Sequence, residues 1–283
     1  TVFQRTANYV VPAQNRPLPA DEVAAIKADY KGFRARAKQR PSAFLFPFYT
    51  DPALAVSAAE RRARFEQQWL VGGLPFLGAF GDLLTNVEAN KTVTAFWHDK
   101  IREVVKDPTT AELLTPKGDV FGCKRLCAGT DYYEAYNRAN VALIDVSKSG
   151  IERFTPTGIR AEGTDYTLDA IVCATGFDAM TGSITRIAIT GLGGVTIQEK
   201  WRDGPSTYLG LTVSGFPNMF NMAGPGGPSV LATMVTCAEQ HGDWIAACMA
   251  WMREHGKTRI DARPEVEQAW GEEVAAAASG SLR

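Results

Sequence analysis

The run "AIVCATG", residues 170–176, constrains the fold more than any other stretch of the chain. It is short, apolar at every position up to Thr175, and carries β-branched Ile171 and Val172 side by side. A strand that is apolar on both faces is covered on both sides, which is the condition of a central strand in a sheet flanked by helices. The run stops at Thr175-Gly176. In an open α/β sheet the carboxyl end of a strand is where ligands bind, and glycine lets the backbone approach them closely. On the residues alone, a plain strand-to-loop turn fits equally well.

The remaining pattern divides near residue 120. Before it, "TVFQR" (1–5) alternates like a strand and "VVPAQNRPLP" (10–19) reads as a Pro-rich connector. Helical patterning then runs over roughly 20–118 with no convincing strand. Asp21 stands as the N-cap of one helix over 21–38, a second spans 51–73 and stops at Gly72-Gly73, and two more segments cover 74–86 and 90–107. Asp107 caps a short helix in "DPTTAELL". After 120, the stretches 140–146, 151–163 and 166–176 read as strand, hairpin and strand, and 184–224 continues in β style. Long helices follow over 228–255 and 264–279. Helices in one block and strands in the next predict a helical insertion in an α/β scaffold.

The net charge is −1, so the chain has no polycationic footprint for nucleic acid or an anionic membrane surface. No apolar run reaches the ~18–20 residues that span a bilayer, and "TVFQRTANYV" has no signal-peptide layout. The five cysteines, Cys123, Cys127, Cys173, Cys237 and Cys248, are odd in number and mostly within apolar stretches. They read as reduced thiols of a cytoplasmic protein. Cys123 and Cys127 are four apart, but the three histidines, His98, His241 and His255, do not cluster with them, so no metal site is expected. "GLGG" (191–194) lacks the spacing of a dinucleotide fingerprint and reads as a hairpin loop. The six tryptophans read as core.

"DAIVCATGFDAMTG" closely resembles the second Ala-Thr-Gly motif of the flavoprotein monooxygenases, and more narrowly of the Baeyer–Villiger monooxygenases. "TVFQRTANYVVP" (1–12), "CKRLCAGTDYYEAYNRANVALIDV" (123–146), "KWRDGPSTYLGLTVSGFPNMFNMAGPGGPSVL" (200–231) and "EQHGDWIAACMAWM" (239–252) agree, in the order that family places them. The resemblance covers nearly the whole chain. It implies partial Rossmann-like FAD and NADPH domains: the end of the first part of the NADPH domain over 1–12, the insertion over 13–119, the second part over 120–178, and the C-terminal part of the FAD domain over 179–283.

It also implies cofactors, FAD and NADPH, and a reaction. One oxygen atom of O2 is inserted into a ketone through a flavin peroxide, giving an ester or lactone. Oxidation of nitrogen or sulfur is the alternative within flavoenzymes, and a non-catalytic nucleotide-binding fragment is the alternative outside them. The resemblance places Arg5, Thr6 and Lys124 at the 2′-phosphate of NADPH, where an arginine fork suits a phosphate. It places Arg125 beside the flavin as the catalytic cation that stabilises developing negative charge. Ala174, Thr175, Gly176 and Phe177 form the crossing between the two domains. Gly227, Pro228, Ser229 and Val230 form a turn against the flavin, where a helix start favours negative charge. On the residues alone, solvated arginines, a solvated Lys124-Arg125 turn and a simple helix-capping turn remain open.

Neither Gly-x-Gly-x-x-Gly nor the family's Phe-x-Gly-x-x-x-His-x-x-x-Trp signature occurs in the sequence. The chain is therefore expected to be the middle-to-C-terminal part of a larger, monomeric enzyme.

Overall fold

The tertiary fold comes from a computed structural model that describes residues 1–118, 120–227 and 232–282. In chain order the strands and helices begin with β1 (Val2–Gln4), β2 (Val10–Pro12), α1 (Ala20–Ala28), α2 (Tyr30–Lys38), α3 (Ala58–Val71), α4 (Val87–Val104) and α5 (Pro108–Leu114). Then come β3 (Cys127–Gly129), α6 (Tyr132–Ala135), β4 (Leu143–Asp145), β5 (Ile151–Thr155), β6 (Gly158–Ala161) and β7 (Thr164–Thr167). The last are α7 (Gly182–Thr185), α8 (Ile197–Lys200), α9 (Met234–Glu254) and α10 (Pro264–Ser279). The architecture is mixed α/β, as the sequence pattern requires. It divides into two compact units, one of Thr1–Pro17, Phe46–Ala174 and Ser281–Arg283, the other of Leu18–Leu45 and Thr175–Gly280.

In the first unit β1 pairs with β4 and β2 with β3, both parallel, while β5, β6 and β7 form an antiparallel meander. Its core is aromatic. Trp97 and Phe76 are fully buried with ring centroids 4.8 Å apart, and Trp69 meets Trp97 at 5.1 Å. The helices that supply these rings are well capped. Ser57 and Glu60 form a reciprocal capping box on α3, Asn86 accepts from the first turn of α4, and Asp107 caps α5. Asn90 is a buried polar anchor. Its Nδ2 donates to Leu83 O (2.7 Å) and Phe121 O (2.9 Å), and its Oδ1 accepts from Phe121 N (3.1 Å).

In the second unit Ile197, Trp201, Val213 and Phe216 form a small core, and α10 is tied to the elements that carry it. Glu267 on that helix is 5% exposed and accepts both Lys200 Nζ at 2.8 Å and the Ser214 backbone N–H. Such a pair holds its elements in register, because leaving either partner buried and alone is costly. Separately, α2 and α9 are tied by an Arg34–Glu239 ion pair, and Thr233 N donates to Ser42 O at 2.9 Å.

Three differences from the sequence reading have physical causes. The helix expected over 21–38 is two helices, because Asp29 leaves helical geometry (φ −131°, ψ 48°) and its carboxylate accepts Gly32 N at 3.0 Å. Asp21 therefore sits in a first turn whose N-cap is Pro19. The stretch 184–224 forms turns and short helices, and its β pairing is limited to the bridges Thr190–Thr196 and Tyr208–Thr212. Its glycines and prolines interrupt any ladder, and Thr196 with Glu199 forms a capping box that starts α8. Finally, 168–180 is unpaired and largely exposed, with Val172 at 89% and Phe177 at 99%. The strand expected over 166–176 is confined to Thr164–Thr167, because a central strand forms only with a neighbour on each edge and the described residues offer Ala170–Ala174 none.

Asn90→Ala should lower the stability of the first unit by roughly 2 kcal/mol or more, because three buried backbone groups lose their partner. Denaturant unfolding followed by tryptophan fluorescence measures this, and a loss below about 0.5 kcal/mol would contradict the anchoring role assigned to Asn90.

Candidate functional site

In the first unit two cationic stretches flank one hydrogen bond. Arg5 and Thr6 follow β1 and are exposed; Lys124 and Arg125 precede β3 and are exposed. Between them Cys127 N donates to Tyr9 O at 3.2 Å, and Asn8 Nδ2 donates to Cys127 Sγ at 3.2 Å. Both stretches are held from the core. The Tyr9 ring packs edge-on against Trp97 at 5.6 Å and Phe121 at 5.3 Å. Val10 N and Trp97 Nε1 each donate to Tyr133 Oη at 3.3 Å, and burial pushes the Tyr133 phenol well above its ordinary range, keeping it neutral. On the Lys124-Arg125 side the chain is anchored by Phe121 and Leu126, at 0% and 6% exposure. The fold thus fixes the backbone beside both exposed stretches.

A cavity of about 300 Å³ lies at the carboxyl ends of β2 and β3, lined among others by Gln14, Trp69, Thr130 and Asp131. None of the residues singled out from the sequence lines it. Among the described residues no group of three His, Cys, Asp or Glu side chains could hold a metal ion, and no helix is long and apolar enough to cross a membrane.

In the second unit the Gly/Pro-rich turn is pinned at successive positions. Asn221 N donates to Leu211 O (2.7 Å), Ala223 N to His241 Nδ1 (2.9 Å) and Gly224 N to Gly210 O (3.1 Å). Thr207 Oγ1 donates to Pro225 O (2.6 Å), Trp270 Nε1 to Gly226 O (2.8 Å), and Gly227 N to Gly224 O (3.1 Å). Gly210 allows this closeness: a Cβ there would lie 2.5 Å from Gly227 Cα. Asn221 Nδ2 is buried without a protein acceptor. Gly227 belongs to this turn, whereas Pro228, Ser229 and Val230 lie outside the described residues.

Of the expected crossing, Ala174 belongs to the first unit and Thr175, Gly176 and Phe177 to the second, the chain passing from one to the other between Ala174 and Thr175. Gly176 has φ +89°, a conformation that favours glycine. Sequence reasoning treated Trp270 as core and did not single out Thr207 or Asn221. No local motif marks a side chain that reaches a distant carbonyl.

No protein-family model matches the chain. Comparison with individual proteins is decisive. The chain is 41% identical over 95% of its length to a Baeyer–Villiger monooxygenase of Pseudooceanicola batsensis, covering 49% of that protein. It is 39% identical over all of its length to cyclohexanone 1,2-monooxygenase of an Acinetobacter species, covering 52% of it. The chain is homologous to Baeyer–Villiger monooxygenases over nearly its whole length. It spans about half the length of the curated relatives it matches. Among solved structures, an oxidized steroid monooxygenase bound to NADP matches with a TM-score of 0.92 at 48% identity, over 99% of this chain and 54% of that one. OTEMO in complex with FAD and NADP matches with a TM-score of 0.95 at 39% identity, over 99% and 52%.

Burial holds the His241 imidazole below its ordinary value. A depressed histidine pKa means that the unfolded chain takes up the proton first. The neutral ring's stabilising contribution is therefore full above about pH 6.5 and lost as the pH falls through the lower folded value. Thermal unfolding between pH 7 and pH 5 should show a loss of stability on acidification that is smaller in His241→Asn. An equal loss in both proteins would contradict burial of a neutral His241.

Proposed function

We propose that the chain is part of an FAD- and NADPH-dependent Baeyer–Villiger monooxygenase that inserts one oxygen atom of O2 into a ketone to give an ester or lactone. The observation that carries this reading is the match over 99% of the chain to monooxygenase structures bound to NADP, or to FAD and NADP together. The domain assignment follows from it: NADPH-domain parts over 1–12 and 120–178, the helical insertion over 13–119, and FAD-domain sequence over 179–283. A monomer acting in the cytoplasm on a small ketone is part of the same proposal.

The residues present fit both cofactors. Three exposed cations, Arg5, Lys124 and Arg125, flank the Tyr9–Cys127 hydrogen bond, as a phosphate site needs. In the second unit, a buried donor without a protein acceptor, Asn221 Nδ2, sits in a close-packed glycine turn; a flavin carbonyl is the kind of acceptor such a group lacks. FAD and NADPH would supply the hydride and the oxygen activation that no side chain here can provide.

The chain's own residues bind, orient and stabilise. Arg5, Thr6 and Lys124 hold the 2′-phosphate of NADPH, the guanidinium by paired donors and the ammonium as a point charge. Arg125 offers a permanently charged donor group to the oxygen on which negative charge develops as the ketone is attacked. Ala174, Thr175, Gly176 and Phe177 carry the chain between the cofactor domains. Gly227, Pro228, Ser229 and Val230 are the flavin-facing residues of this reading, and the turn up to Gly227 is fixed by the bonds described, so that little reorganisation accompanies the reaction.

Arg125→Ala should reduce ester formation from a cyclic ketone by ~100-fold or more in the flavin-loaded, NADPH-supplied enzyme, with Arg125→Lys intermediate. Gas-chromatographic product analysis checks it. Undiminished ester yield in Arg125→Ala would sink the assigned role. Oxidation of an amine or sulfide with no ester from any ketone would favour the nitrogen- or sulfur-oxidising alternative.

A further inference from the structure

We propose that His241 is a positioning residue that sets the backbone of the 223–227 turn for the flavin, by accepting the Ala223 N–H on Nδ1. The inference rests on the reading of that turn as flavin-facing and adds to it the side chain that fixes its entry.

The bond is 2.9 Å long and joins a side chain at 8% exposure to a backbone group eighteen residues earlier. His241 is the one residue of α9 that is buried. The rest of the helix is half-buried or exposed, with Val235 at 71% and Trp251 at 54% exposure, and its other ties include the Arg34–Glu239 pair and the Phe220–Trp244 ring contact. The buried imidazole is the point at which α9 grips the 223–227 turn. What it grips is strained: Ala223 has φ +55°, a left-handed conformation that an L-residue with a Cβ resists.

The other pins of the turn come from elsewhere. Gly224 is held by Gly210, Pro225 by Thr207, and Gly226 by Trp270 of α10. Only His241 acts from α9, so it alone ties that helix to the first peptide of the turn among the bonds described. The direction of the bond defines the chemistry. Nδ1 must be unprotonated to accept, so the neutral ring carries its proton on Nε2. An asparagine can place its Oδ1 near the position of Nδ1, whereas the longer glutamine places its oxygen near Nε2 and misses.

The test is amide hydrogen exchange at Ala223 in the purified 283-residue chain, comparing the parent with His241→Leu, His241→Asn and His241→Gln, followed by FAD titration monitored by flavin fluorescence and visible circular dichroism. The expected result is exchange at Ala223 about tenfold or more faster in the Leu and Gln variants, as loss of one hydrogen bond implies, and near-parent protection in the Asn variant. Protection of Asn221, whose amide bonds to Leu211 O, should be unchanged in all four, which separates loss of the clamp from loss of the fold. FAD should bind more weakly, with an altered visible dichroic band, in the Leu and Gln variants only.

Ala223 exchange that is the same in the parent and the Leu variant overturns the proposal. So does an Asn variant that is folded, by Asn221 protection, yet as fast at Ala223 as Leu. If Ala223 exchange responds as expected while FAD affinity and dichroism are identical throughout, the placement of the turn against the flavin fails, and with it the positioning role. A Leu variant that does not fold leaves the Asn-against-Gln comparison to decide.

Discussion

The contact on which the first unit depends is the Tyr9 ring wedged between Trp97 and Phe121. The ring belongs to the chain entering β2, and its partners belong to α4 and to the chain leading into β3. The contact therefore does more than bury area, although edge-on aromatic pairs add ~0.5–1.5 kcal/mol each beyond burial. It ties the strand pair to the helical core at the point where Tyr9 O receives the Cys127 N–H. Asn90 fixes Phe121 from the other side by bonds to both its N–H and its carbonyl. Arg5, Thr6, Lys124 and Arg125 are exposed, yet the backbone beside them is anchored in the aromatic core. A phosphate-binding fork needs this combination of a fixed base and a long, hydrated reach.

The second unit solves a different problem. Its turn has little apolar surface with which to hold itself, so it is held by hydrogen bonds from three directions: the 207–211 segment, α9 and α10. Trp270 and His241 act here as donor and acceptor to peptide groups, and Glu267 keeps α10 in place by binding Lys200 and Ser214 N. Changes on α10 well away from the turn should therefore be felt in it through the Trp270–Gly226 bond.

Much of this was legible in the sequence where structure is local. The cap at Asp107 and the β5–β6 hairpin follow from residue chemistry within a few positions, whereas the caps at Ser57 and Asn86 lie in stretches that the pattern read as helix over 51–73 and 74–86. The motif residues Arg5, Lys124 and Arg125 came from resemblance, and the fold adds the reason for their placement. What was not legible is non-local. "AIVCA" has every property of a central strand, but a strand is a pairing, and sequence composition does not guarantee the neighbours. Asp29 could be read as a helix interior or as a cap; its bond to Gly32 N decides it. The capping box of Thr196 and Glu199 was present in "TIQE" and was outweighed by β-branched Val195, Thr196 and Ile197. His241 lies in the matched stretch 239–252, but its bond is not legible there, because its partner is a backbone N–H reached only after the chain turns back on itself.

The central claim is that Arg5, Thr6 and Lys124, on either side of the Tyr9–Cys127 bond, form a site for the 2′-phosphate of NADPH. Isothermal titration of the chain with 2′,5′-ADP and with 5′-AMP at low ionic strength tests it most directly. The account predicts that 2′,5′-ADP binds measurably tighter, that the preference disappears in Arg5→Ala and Lys124→Ala, and that it weakens with added salt. Equal binding of the two nucleotides, or a preference untouched by both substitutions, would contradict it.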